Sequence, residues 1–118
     1  MKQTPASRSG CPIATTLDCI GDQWSLVIVR DMLLGSKRFG DFLKSPEGIT
    51  TNILASRLAR MEELGLVEKT PYQERPLRHE YRLTEAGREL TPILQAMCRW
   101  ANRHFPGTWI PPESFMAL

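Results

Sequence analysis

The feature that most restricts what this chain can fold into is a change of hydrophobic period at Gly65. Before it, Leu54, Leu58 and Met61, extended by Leu64, recur at helical spacing. Thr50 is placed to cap that helix, Ile49 to pack on Leu54 as a staple, and Gly65 to stop it. After Gly65 the pattern is extended. Leu66-Val67-Glu68-Lys69-Thr70 reads as a strand and His79-Glu80-Tyr81-Arg82-Leu83 as its return, with Tyr81 and Leu83 on one face. Between them, residues 71–78 contain Pro71 and Pro76 and suit an exposed hairpin tip.

Upstream, a short helix is expected from Cys11 to Ile20, with Pro12 in its first turn and Ile13, Leu17 and Ile20 as one apolar stripe. A second helix, from about Gln23 to Leu34 with Gly35 as its C-cap, carries Trp24, Val27, Ile28, Leu33 and Leu34 and belongs in the core. Phe39, Phe42 and Leu43 mark a short amphipathic helix ended by Pro46-Glu47-Gly48. Downstream, Thr84 caps a long helix reaching about His104, with Leu90, Ile93, Leu94, Met97, Trp100 and Ala101 on its apolar face. Pro92 either kinks this helix or shifts its effective start. The segment after Pro106-Gly107 holds Trp109, Ile110, Phe115, Met116 and Leu118, too apolar for a loose end.

The fold class is therefore mainly α with a small β-hairpin. The order is helix, helix, short helix, turn, helix, hairpin and long helix, which is a winged helix-turn-helix. Its 118 residues are the size of one domain. We divide them into a flexible arm (1–10), the winged domain (11–105) and a packed tail (106–118). With 42% hydrophobic and 24% charged residues, disordered, collagen-like and membrane-spanning classes are excluded. The longest apolar run is only Leu26-Val27-Ile28-Val29, and the polar first ten residues lack a secretory core. Cys11, Cys19 and Cys98 form no CxxC, and there are two histidines. A disulfide framework and a zinc finger are thus not expected, and a cytoplasmic protein with reduced thiols is. No metal or cofactor is expected, and no nucleotide-binding or hydrolase motif argues for an enzyme.

In such a fold the second helix of the helix-turn-helix enters the major groove, about 12 Å wide, leading with its N-terminal residues. The outward face there carries Thr50, Thr51, Asn52, Ala55 and Ser56, with Arg60 one turn on. Asn can bridge N6 and N7 of adenine, and Thr or Ser can bond many base edges. Arg75 and Arg78 on the wing, and Lys37 and Arg38 leading into the short helix, suit phosphate contacts. The net charge is only +2, and Glu74 and Glu80 interleave with these cations. A solvated helix face with a capping preference would look similar. A winged-helix protein-interaction module without specific DNA binding is therefore the alternative reading.

The stretch Cys11-Pro12…Leu17-Asp18-Cys19-Ile20-Gly21-Asp22-Gln23-Trp24 resembles the start of the HxlR-type bacterial winged-helix transcriptional regulators. The resemblance continues through Lys37-Arg38-Phe39, Gly48-Ile49-Thr50…Leu54…Arg57-Leu58 and Leu64-Gly65-Leu66-Val67. It ends in Pro76…His79-Glu80-Tyr81-Arg82-Leu83-Thr84…Gly87. It implies a homodimeric repressor or activator on inverted-repeat double-stranded DNA, with the terminal helices building the dimer interface. Half-sites would then lie about 34 Å apart. Cys11 matches the position at which several members sense oxidants or electrophiles, and a thiol at a helix N-terminus is favoured as thiolate. A small-molecule effector is the other open route to control. Arg57 occupies a position where the family commonly has Arg, suited to a phosphate or to an acidic partner within the domain. The family's Gly-Gly-Lys-Trp stands here as Gly21-Asp22-Gln23-Trp24.

Overall fold

The computed structural model describes residues 8–118. Most of the expected arm, residues 1–7, lies outside the described residues. Helices α1 (Pro12–Ile20), α2 (Ser25–Leu33), α3 (Phe39–Phe42) and α4 (Thr51–Glu63) precede an antiparallel hairpin of β1 (Val67–Glu74) and β2 (Leu77–Leu83). Helices α5 (Glu85–Arg88), α6 (Thr91–His104) and α7 (Glu113–Met116) follow. The architecture is a winged helix-turn-helix, mainly helical with a two-stranded wing.

The core forms where the stripes of the central helices meet the base of the wing. Ile28 and Val29 of α2, Phe42 of α3, Leu54, Leu58 and Met61 of α4, and Val67 and Leu83 of the wing are buried together. Ile49 and Leu64 close the two ends of α4. Thr50 caps α4, its hydroxyl accepting from the amide of Ile53 at 3.4 Å. At the other end Gly65 turns the chain with φ +77°, a conformation that favours glycine.

The wing leaves α4 through a tight junction. The Thr84 hydroxyl donates to the Gly65 carbonyl at 2.6 Å and accepts from the Gly87 amide at 3.2 Å. The Thr84 amide donates to the Leu66 carbonyl. One threonine thus caps α5 and staples it to the end of α4.

Three expectations are corrected. The second helix starts at Ser25 rather than Gln23, because the Asp22 carboxylate accepts the amides of Trp24 and Ser25, both at 2.9 Å. The strands are longer than expected. Pairing runs from Val67↔Leu83 out to Glu74↔Leu77, and only Arg75-Pro76 remains as the turn. A two-stranded ribbon has an unpaired edge on each strand, so Pro71 costs no ladder bond when its missing N–H lies outward. The register shift between Pro71 and Gln73 leaves Tyr72 as a bulge residue. Finally, the single long helix is two, α5 and α6. Pro92 occupies the first turn of α6, so it resets the helix start rather than kinking a continuous rod.

The terminal segments divide their apolar residues. Phe115 is buried and the Gln95 side-chain amide donates to the carbonyls of Phe115 and Met116, at 3.1 and 3.2 Å. Asn102 holds the preceding loop through the Trp109 carbonyl and the Thr108 hydroxyl, both at 2.9 Å. On α1, by contrast, Ile20 is buried while Ile13 is 72% exposed and Leu17 also faces solvent. On α6, Leu94 is buried while Met97 and Trp100 are exposed, the latter at 60%. Residues of α2, α6 and the C-terminal segment, among them Val27, Met97, Trp100 and Trp109, line an apolar groove of about 880 Å³.

Candidate nucleic-acid interface

Helix α4 buries Leu54, Leu58 and Met61, so its 3.6-residue repeat turns the opposite side outward. Thr50, Thr51, Asn52, Ala55 and Ser56 are exposed along it, small and polar beside one another. Thr50 spends its hydroxyl on the cap. Arg60 is half-buried and lies 3.6 Å from Glu63, one turn further along the same helix. Arg57, also half-buried, has Nη1 3.8 Å from Asp22 Oδ1. Its Nη2 donates to the Ser56 hydroxyl at 3.5 Å. The expected Arg thus has its acidic neighbour on the α1–α2 turn.

Asp22 is held by more than this pair. Burial pushes its carboxyl upward, but hydrogen bonds from the Ser25 hydroxyl and the Trp24 and Ser25 amides, together with the Arg57 charge, outweigh that. The result lies below the ordinary carboxylate value, and the group is ionised at neutral pH.

The wing joins the helix-turn-helix through the segment before α3. Tyr81 donates its amide to the Lys37 carbonyl at 2.6 Å, and Arg38 bridges to Glu80 as an added rung on β2. Glu80 Oε2 accepts from Arg38 Nε at 3.0 Å and lies 3.8 Å from Lys37 Nζ. The Arg38 guanidinium sits 3.9 Å over the Tyr72 ring, the residue that the bulge releases from the ladder. Lys37 and Arg38 remain half or more exposed, as two cations sharing one carboxylate. At the far end of the wing, Arg75 stands in the turn and Arg78 beside it on β2, both exposed. Neither pairs with a carboxylate among the described residues.

Three residues that shape this surface were not among the expected contacts: Asp22, Tyr72 and Glu80. Glu80 left a trace in the sequence as an acid interleaved with the wing cations, and Asp22 as a departure within Gly21-Asp22-Gln23-Trp24. Cys11 is the exposed N-cap residue of α1, whereas Cys19 and Cys98 are half-buried against the core. Among the described residues no three His, Cys, Asp or Glu side chains converge to hold a metal, and no helix is long and apolar enough to cross a membrane.

A capped helix with a short polar face, backed by a core and flanked by a cationic wing, defines a winged helix-turn-helix of the nucleic-acid-binding kind. The profile of the HxlR-like helix-turn-helix family matches residues 19–108, and the chain belongs to that family. It is 39% identical over 103 residues to MT3179 of Mycobacterium tuberculosis (strain CDC 1551 / Oshkosh), an uncharacterised protein named as an HTH-type transcriptional regulator. That match covers 87% of this chain, which spans only 65% of the relative's length. Among solved structures it resembles PA1607, named as a candidate transcription factor (TM-score 0.76, 43% identity, 89% of this chain and 72% of that one). It also resembles the redox regulator HypR in its oxidised form (TM-score 0.71, 37% identity, 80% of this chain and 97% of that one).

Proposed function

We propose that this protein is a sequence-specific, DNA-binding transcriptional regulator that acts in the cytoplasm as a homodimer on inverted-repeat operators. The observation that carries the reading is the exposed polar face of α4 on the same body as a wing ending in Arg75 and Arg78. Asn52, Thr51 and Ser56 read base edges, the first by the bidentate geometry that adenine offers. Arg75, Arg78, Lys37 and Arg38 grip phosphates and set the register. Thr50 serves as the cap, its exposed backbone end against a phosphate, and Arg57 and Arg60 border the groove-facing side.

Dimerisation follows from surface left over. Ile13 and Leu17 of α1, Met97 and Trp100 of α6 and Trp109 beyond it are exposed apolar side chains in a chain of modest size. Exposed apolar patches mark protein contacts. Control through Cys11 is the second part of the reading. It is supported by the exposure of that thiol at the N-terminus of α1 and by the likeness to HypR. A small molecule or electrophile is the corresponding effector, and neither a cofactor nor catalysis is part of the reading.

The test is binding to duplexes selected from a random pool, compared with a scrambled duplex, across ~50 to ~200 mM salt. Asn52→Ala is expected to cost about 1–3 kcal/mol on the selected site and little on the scrambled one. Equal loss on both removes base readout by Asn52. Absence of any salt-sensitive binding favours the protein-interaction module instead.

A further inference from the structure

We infer that Asp22 is a positioning residue that holds Arg57 away from the DNA backbone, so that one carboxylate limits how tightly the protein grips any duplex. The inference rests on the DNA-binding reading above and adds a residue to it.

Asp22 cannot swing aside. Oδ2 accepts from the amides of Trp24 and Ser25 and Oδ1 from the Ser25 hydroxyl, while Ser25 itself is buried. The carboxylate is thereby fixed on the α1–α2 turn with Oδ1 3.8 Å from Arg57 Nη1. Asp22, Trp24, Asn52, Ser56 and Arg57 wall one recess of about 370 Å³ beside the first two turns of α4. Arg57 therefore borders the face that carries Asn52 and Ser56. A guanidinium has five donors. Those left over by Asp22 and Ser56 suit a phosphate, but reaching one means leaving a fixed counter-charge.

The experiment is a two-residue cycle, Asp22→Asn and Arg57→Gln, read as the salt dependence of binding to a fluorescent duplex of random sequence. Asparagine keeps the oxygen that caps α2 and removes the charge. One additional phosphate contact steepens the log–log salt slope by about 0.9, which corresponds to about eightfold tighter binding near 0.1 M salt. Asp22→Asn is expected to produce that change. Arg57→Gln is expected to alter the slope little in the original protein and to return the Asp22→Asn slope to its starting value. If Asp22→Asn tightens binding equally in the Arg57→Gln background, the carboxylate repels DNA directly and the inference fails. If Arg57→Gln alone lowers the slope by the full step, Arg57 already serves a phosphate and the inference fails too. That arm needs no Asp22 variant to fold. Should the unmodified protein show no salt-dependent duplex binding, the DNA-binding reading falls and takes this inference with it.

Discussion

Gly87 and Cys11 show how much a single position can carry. Gly87 is buried where α5 passes the Gly65–Leu66 turn, and a Cβ there would drive into the Leu66 carbonyl oxygen and touch Leu83 Cδ2 at 3.0 Å. The carbonyl is held in place because it also accepts the Thr84 amide, and the Leu83 side chain is itself buried in the core. Gly87→Ala should therefore destabilise by about 1–3 kcal/mol, the ordinary cost of overpacking, visible as a lower denaturant midpoint. An unchanged midpoint would mean that α5 slides freely over the turn. Cys11 differs from Cys19 and Cys98 in exposure. If the thiol switch operates, diamide should weaken duplex binding in the original protein and in the Cys19→Ser and Cys98→Ser variants, but not in Cys11→Ser. A response that survives Cys11→Ser would assign the switch elsewhere.

At the scale of elements, ion pairs decide how the pieces sit. Arg30 on α2 reaches Glu47 beyond α3 through Nη1 at 2.7 Å and Nη2 at 2.8 Å, with Ser45 also bonded to Glu47. The Arg30 side chain, opposed by burial and helped by the Ser45 hydroxyl, holds the Glu47 carboxyl down at about 2. A depressed carboxyl contributes stability above its unfolded value of 4.5 and loses it as pH falls toward 2. The original protein should thus lose stability relative to Glu47→Gln between those limits, measured as urea midpoints along an acid titration. Parallel curves would show that the pair contributes nothing, as many exposed pairs do. The wing is tied differently. Arg38 and Glu80 stand 42 residues apart, and with Tyr72 they form one cluster linking the α3 segment to both strands. The local pattern fixed where α4 begins and ends, because its cap, staple and stop are neighbours in sequence. It understated the strands, since Pro71 and Pro76 read as marking the tip, whereas the ribbon's open edge and bulge accommodate Pro71 within β1.

For the molecule as a whole, the unfilled quantity is partner surface. The apolar groove between α2, α6 and the C-terminal segment and the bare face of α1 belong to a chain whose own core is already closed around α4. Trp100→Glu is expected to turn a dimer into a monomer by sedimentation while leaving the helix content intact, and to weaken duplex binding by removing the second reading head. A dimer that persists in Trp100→Glu would move the interface off α6. Such a dimer would bring two α4 helices to one duplex, which is how a modest net charge of +2 can still yield a useful grip.

Sequence alone determined the helix–helix–hairpin order, the buried stripe of α4 and the polar face opposite it, because capping, periodicity and turn chemistry act between residues a few positions apart. It also determined that the terminal helices are apolar, but not which side chains the core would take. Tertiary structure divided Leu94 from Trp100 and Ile20 from Ile13, since only packing sets which side of a stripe is covered. It likewise brought Asp22 to Arg57 and Glu80 to Arg38. Those pairs depend on where separate elements come to rest, and no short-range rule encodes that.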